Sequence, residues 1–276
     1  MPSELVPRRR EPPRRHSRNL IVVRAGDASL HGEWTRGAGR DFDIFVSYYG
    51  SIAGRHLDDA DFYEARPGPK WPALAALLST HPALLDAYDA FWFPDDDLAA
   101  STDTINRMFA FFHAHQLALA QPALTRDSYF TWATLLQEPR AHLRFTRFVE
   151  VMAPLFSRAA LRVCMPTFDE SRSGWGLDWV WPTLCDRAHL GRIAVIDATP
   201  VRHTRPVGGE LYRRHPEMAP RADAEQVLAK YGLEEVRAVA KYSFQSQVGE
   251  STLPAWQRLV FWFKRLNGRR KHAFRH

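Results

Sequence analysis

The chain has 276 residues, 45% of them hydrophobic, and a formal net charge of +6. That length fits one large domain or two small ones with an ordinary core, and no window approaches the run of about 18 apolar residues that a membrane-spanning helix needs. The charge is uneven: residues 1 to 18 carry +4 and residues 258 to 276 carry +7, which leaves the body near −5 and argues against a nucleic-acid partner.

Cys164 and Cys185 are the only cysteines, so no disulfide framework or thiolate metal site is expected and a cytoplasmic location is the simplest inference. Residues 1 to 18 are rich in Arg and Pro, with no apolar segment of a secretory signal, and read as disordered. An ordered domain is expected over 19 to 250, and a basic amphipathic tail over 251 to 276.

The domain opens with a β-branched run, Asn19 to Arg24, followed by the turn Ala25-Gly26-Asp27. A second strand is predicted over Phe42 to Tyr49, and Gly54 to Pro69 reads as polar and irregular. Lys70-Trp71-Pro72 leads into a helix through Leu78; a lysine at a helix N-terminus suits a diphosphate, or is simply solvated. Phe91-Trp92-Phe93 reads as a short buried strand, and Asp95, Asp96 and Asp97 follow it after Pro94. Ser101 or Thr102 then caps a helix with Ile105, Met108, Phe109 and Phe112 on one face.

Leu117 to Ala120 is predicted as a strand ended by Gln121-Pro122. Ser128 to Trp132 and Leu143 to Val151 have period-two character and read as further strands. Ser157 caps a helix through Val163, and Ile193 to Ile196 forms a last strand running toward Arg202-His203. The pattern is α/β: a central mixed, mostly parallel sheet flanked by helices.

The acids lie where a strand gives way to a loop, which is where ligands bind open α/β sheets. In an extended chain Asp95 and Asp97 point the same way, and two such carboxylates suit Mg²⁺ or Mn²⁺. Alternatively the triplet is a solvated, helix-capping turn. Gly174 and Gly176 let the backbone approach a ligand closely, beside aromatic faces that suit a sugar ring, and Asp178 behind them is placed to accept a proton from a hydroxyl or to cap its own helix. His203 suits a third metal ligand or an ordinary core position, and Glu150 a hydrogen bond to substrate hydroxyls or a salt bridge.

These segments, with Phe91 to Leu98, Ala120 to Thr125, Phe148 to Arg158, Gly174 to Asp178 and Val195 to His203 in that order, resemble the family called domain of unknown function 707. That family is similar to nucleotide-sugar glycosyltransferases of the GT-A type. The resemblance implies a single GT-A-like, Rossmann-like domain that transfers a sugar from a nucleotide-diphosphate-sugar to a glycan, lipid-linked or other hydroxyl acceptor. By it, Asp95 and Asp97 resemble the Asp-any-Asp motif that holds Mn²⁺ or Mg²⁺, and His203 completes the metal site. Arg24, Ala25, Gly26, Lys70 and Asp96 lie beside the donor; Glu150, Trp175 and Gly176 lie on the acceptor side. Asp178 becomes the candidate base of an inverting transfer, with a retaining route open if it is not. The run Pro-Asp-Asp-Asp leaves open which pair takes the ion.

Trp256, Leu259, Val260, Phe263 and Leu266 recur at helical spacing beside basic residues, which suits an anionic membrane surface or a helix docked on its own domain. Two other functions fit the same acids: a metal-dependent phosphohydrolase of nucleotide-sugars, and a non-catalytic glycan- or nucleotide-binding module.

Overall fold

The computed structural model describes residues 17–206, 219–233 and the strand Phe244–Val248. The expected N-terminal disorder through residue 16 and the amphipathic tail lie outside the described residues. No helix among those described is long and apolar enough to cross a membrane.

Strands β1 (Asn19–Ala25) and β2 (Asp43–Tyr48) are buried at every position, as their unbroken β-branched and aromatic runs require when both sheet faces are covered. They pair in parallel, as do β2 with β3 (Phe62–Ala65) and β1 with β4 (Ala90–Trp92). Antiparallel β8 (Leu155–Ser157) joins β4 to β6 (Leu117–Leu124). Beyond β6 come β9 (Arg192–His203), β7 (Leu143–Thr146) and β10 (Phe244–Val248). The order is therefore β10-β7-β9-β6-β8-β4-β1-β2-β3, with β5 (Leu98–Ala99) pairing β9 separately.

Helices cover the sheet. Between β1 and β2 lies α1 (His31–Trp34), and between β3 and β4 lie α2 (Lys70–Thr80) and α3 (Leu84–Ala87). The helix α4 (Thr102–Ala114) starts where Ser101 Oγ accepts the Thr104 N–H, and buries Ile105, Met108, Phe109 and Phe112 as the spacing requires. Ser157 caps α5 (Arg158–Cys164) through the Ala160 N–H. The helix α6 (Leu177–Arg187) packs on α5 and on α7 (Pro220–Tyr231). Trp34, Trp71, Trp92 and Trp181 are fully enclosed, each removing roughly 200 Å² from water, on the order of 5 kcal/mol of gross transfer free energy.

Four local expectations change. The strand expected to stop before Gln121-Pro122 continues to Leu124. Its β8 neighbour pairs only Leu119 and Ala120, so Pro122 falls where that edge is already bare and a proline is tolerated. The polar 54–69 stretch contains β3, an edge strand of intermediate burial with no apolar alternation to betray it. Ser128 to Trp132 is loop, and β7 ends at Thr146 rather than Val151. Trp132 and Phe148 instead pack against each other and Trp179, so their apolar character serves an aromatic cluster and not a ladder.

Candidate functional site

The acidic run leaves β4 and is held by a different segment at each residue. The Asp95 N–H donates to Met152 O at 2.7 Å, Asp96 O accepts from Leu30 N–H at 2.7 Å, and Asp97 O accepts from Thr204 N–H at 3.1 Å. The β5–β9 pairing sets Leu98 opposite His203, which brings the histidine beside Asp97. Three backbone tethers and one strand pair thus fix the carboxylates before any ligand arrives.

The side chains divide as the period of two demands. Asp96 accepts from Gly26 N–H (Oδ2, 2.7 Å) and from Arg205 (Oδ1, 3.2 Å). Burial raises its pKa to about 6, against the pull of the Gly26 N–H and Arg205. Asp95 and Asp97 share the other side. Lys70 Nζ, at the first turn of α2, donates to Asp95 Oδ1 at 2.6 Å and to the Val151 and Met152 carbonyls. His203 Nε2 lies 3.2 Å from Asp97 Oδ2, and His203 Nδ1 lies 2.8 Å from the Tyr129 carbonyl. Because a carbonyl only accepts, Nδ1 carries a proton and Nε2 faces the acids. Burial lowers the His203 pKa, but the hydrogen bond and charge of Asp97 outweigh it and hold the ring up to about 9.

Glu150 and Asp178 complete the cluster. Glu150 donates its backbone N–H to Gln121 Oε1 at 2.6 Å. Burial raises its carboxyl to about 7, with His203 and Lys70 opposing and Asp95 reinforcing. Asp178 sits in the first turn of α6, and burial followed by the charge of Glu150 lifts it well above the usual carboxylate range. Backbone N–H groups of Gly176, Asp178 and Trp179 work against that rise. Three buried carboxylate oxygens here have no hydrogen-bond partner: Asp97 Oδ1, Glu150 Oε2 and Asp178 Oδ1. Buried polar atoms are nearly always satisfied, and a cation or a donor-rich ligand would satisfy these three. Asp97 and His203 carry oxygen and imidazole donors of the kind that a divalent ion takes.

The remaining expected positions have structural partners. Arg24 is buried, bonding Ser47 Oγ at 2.7 Å and the Gly68 carbonyl at 2.8 Å, with its guanidinium 5.4 Å from the Tyr49 ring centroid. Ala25 ends β1, and Gly26 lies under Tyr49, whose hydroxyl would sit 2.9 Å from an added Cβ. Gly174 (φ +83°) and Gly176 (φ +95°) were expected to admit a ligand; the close approaches they allow are to Trp71 and to Ala224 of α7. Trp175 between them is half-buried. Tyr129, Gln121, Arg205 and Tyr49 are participants that the sequence did not single out. They act through a carbonyl, an amide, a distant cation and an exposed ring; only Gln121 falls in a segment of the family resemblance, and there it reads as the end of a strand.

Residues 137–246 match the family described as "Protein of unknown function (DUF707)". The match takes in Glu150, Asp178 and His203 and begins after the acidic run. No curated protein matches the chain. A solved structure of GalNAc-T7 with UDP, GalNAc and Mn²⁺ is similar over 90% of this chain and 55% of its own, at 10% identity and a TM-score of 0.50. The fold is of the GT-A type. Two further GT-A structures resemble it more loosely. Glucosyl-3-phosphoglycerate synthase from Mycobacterium tuberculosis, in complex with Mn²⁺, UDP and glucosyl-3-phosphoglycerate, is 16% identical over 79% of this chain and 81% of its own, with a TM-score of 0.46. A TarS fragment from S. aureus in complex with UDP-GlcNAc is 12% identical over 90% and 79%, with a TM-score of 0.45.

Proposed function

We propose that this chain is a metal-dependent glycosyltransferase that moves a sugar from a nucleotide-diphosphate-sugar to a hydroxyl acceptor on a glycan or lipid-linked carrier. The observation that carries the reading is the pair of unpartnered carboxylate oxygens on Asp97, which follows β4 and meets His203, and on Glu150, whose charge is felt by His203 and Lys70, with the unpartnered oxygen of Asp178 next to Glu150. In an α/β sheet the C-terminal end of a strand is where ligands bind.

Asp97 and His203, with Asp95 as the third donor, would hold Mn²⁺ or Mg²⁺; the ion supplies charge neutralisation for a departing diphosphate. Lys70 is the anchored cation for the same phosphates, and Asp96 braces the Gly26 turn against which the nucleotide lies. Tyr49, 43% exposed and stacked on Arg24, offers a face for the base. Asp178 would take the proton of the acceptor hydroxyl as that oxygen bonds to the sugar's anomeric carbon, and the electron pair of the broken C–O bond leaves with the diphosphate. Glu150, whose carboxyl is held near 7, hydrogen-bonds acceptor or sugar hydroxyls alongside Trp175 and Gly176.

The test is incubation of the chain with Mn²⁺, a panel of nucleotide-diphosphate-sugars, and alkyl glycosides or a lipid-linked saccharide. The reading expects nucleotide release matched by glycosylated product. Release without product indicates the phosphohydrolase, and no turnover with any donor indicates a binding module.

A further inference from the structure

On the far side of the Gly26 turn is a second set of donors. His31, on α1, is fully buried, and its Nε2 has no hydrogen-bond partner. Its Nδ1 lies 2.6 Å from Ser29 Oγ, a contact that directs the ring and leaves Nε2 aimed at the neighbouring loop. There His56 stands with ring centroid 4.5 Å from that of His31. His56 Nε2 is 3.0 Å from the Gly26 carbonyl, so that nitrogen donates and Nδ1 carries the lone pair. Nδ1 in turn faces Asp59 Oδ2 at 3.4 Å. Asp59 Oδ2 thus faces one imidazole nitrogen, and a second imidazole with an unpartnered nitrogen lies close by.

We propose that His31, His56 and Asp59 form a second metal site that takes one ion of the Zn²⁺ class. One donor atom from each residue lies within 4.8 Å of the others. Ligands about 2.0–2.1 Å from a tetrahedral ion stand roughly 3.3 Å apart, which the His56–Asp59 separation already matches. Asp59 is exposed and has the freedom to close the remaining distance. Two imidazoles and one carboxylate favour Zn²⁺ over Mn²⁺ or Mg²⁺. The second ring nitrogen of each histidine is held by Ser29 or by Gly26, the outer-shell arrangement that orients metal-bound imidazoles. A cleft of about 460 Å³ lined by His56 and Asp59, with Glu33, Arg36 and Arg55 at its walls, opens beside the site and leaves room for water as the fourth ligand.

The ion would tie the turn after β1 to the 52–59 loop. His56 passes that constraint to the Gly26 carbonyl, while the Gly26 N–H holds Asp96. The site is therefore structural, bracing the turn from behind, and it stands whether or not the chain transfers sugars.

The experiment is titration of Zn²⁺ into the metal-depleted chain by calorimetry, with thermal melts in parallel. Wild type should bind one Zn²⁺ with a rise in melting temperature that Mn²⁺ does not reproduce. Asp97→Asn, which alters the other site, should retain that ion. His56→Ala/Asp59→Asn should lose it while keeping the wild-type circular dichroism, and Asp59→Asn alone, a near-isosteric change, should weaken binding at least about tenfold. No stoichiometric zinc in wild type, unchanged binding in the double variant, or loss in Asp97→Asn would each overturn the assignment.

Discussion

His203 Nε2 lies 3.2 Å from Asp97 Oδ2, in a pair formed across the β5–β9 ladder from residues 106 positions apart in the chain. Its other nitrogen is fixed by the Tyr129 carbonyl, so the ring has one orientation and presents one atom to the acids. A metal ion bound there would compete with a proton for that atom. Replacing either partner should therefore cost more than a supporting contact does: His203→Ala and Asp97→Asn should each lower metal-dependent turnover on the order of 100-fold or more, measured at saturating donor with the fold checked by circular dichroism.

Asp178→Asn keeps the shape of the side chain and removes its basicity. If Asp178 takes the acceptor's proton, kcat should fall by roughly 10²- to 10⁴-fold while the affinity for nucleoside diphosphate stays at the wild-type value. Equal losses in both would place Asp178 in donor binding instead.

The interior also holds an ion pair apart from the candidate site. Arg144 donates to Asp197 through Nε at 2.7 Å and a terminal nitrogen at 2.8 Å, and to the Thr134 and Leu136 carbonyls, all out of contact with water. Arg144→Met would leave Asp197 charged, buried and short of donors. The expected loss is about 3–5 kcal/mol of unfolding free energy, read from urea titration; a loss under about 1 kcal/mol would mean that water reaches the pair.

Asp27 gives the fold an acid limit. Tyr48 donates its hydroxyl to Asp27, and the Ser51 and Ile52 N–H groups add to it, drawing the carboxyl down to about 2 from an ordinary 3.8. A carboxylate with a depressed folded-state pKa contributes stability that is present above its unfolded value and lost as pH falls through its folded one. The contribution should disappear between about pH 4 and pH 2, and Tyr48→Phe should flatten that limb of the stability profile. An unchanged acid limb in the variant would assign the loss to other groups.

The sequence made the skeleton of the site visible because its signals are local. Phe91 to Phe93 followed by three acids is a strand end, and Asp96 does meet other partners, Gly26 and Arg205, than Asp95 and Asp97 do. The long run after Ile193 likewise points to His203. What escaped reading depends on pairing between distant segments. Pro122 looked like a terminator because the sequence cannot say that β8 has already left that edge. Gly174 and Gly176 looked like ligand-facing glycines, while Trp71 and Ala224 are what they make room for. Tyr129 contributes a backbone carbonyl, which any residue could supply. His31 and His56 are 25 positions apart, with no spacing that marks a metal site.

The most direct measurement is calorimetric titration of a panel of nucleoside diphosphates, with and without Mn²⁺, into wild type and Asp97→Asn. The account predicts that at least one nucleotide binds wild type only with the ion present and that Asp97→Asn abolishes this dependence. Binding that ignores Mn²⁺, or survives unchanged in the variant, would contradict a metal-held diphosphate at Asp97 and His203.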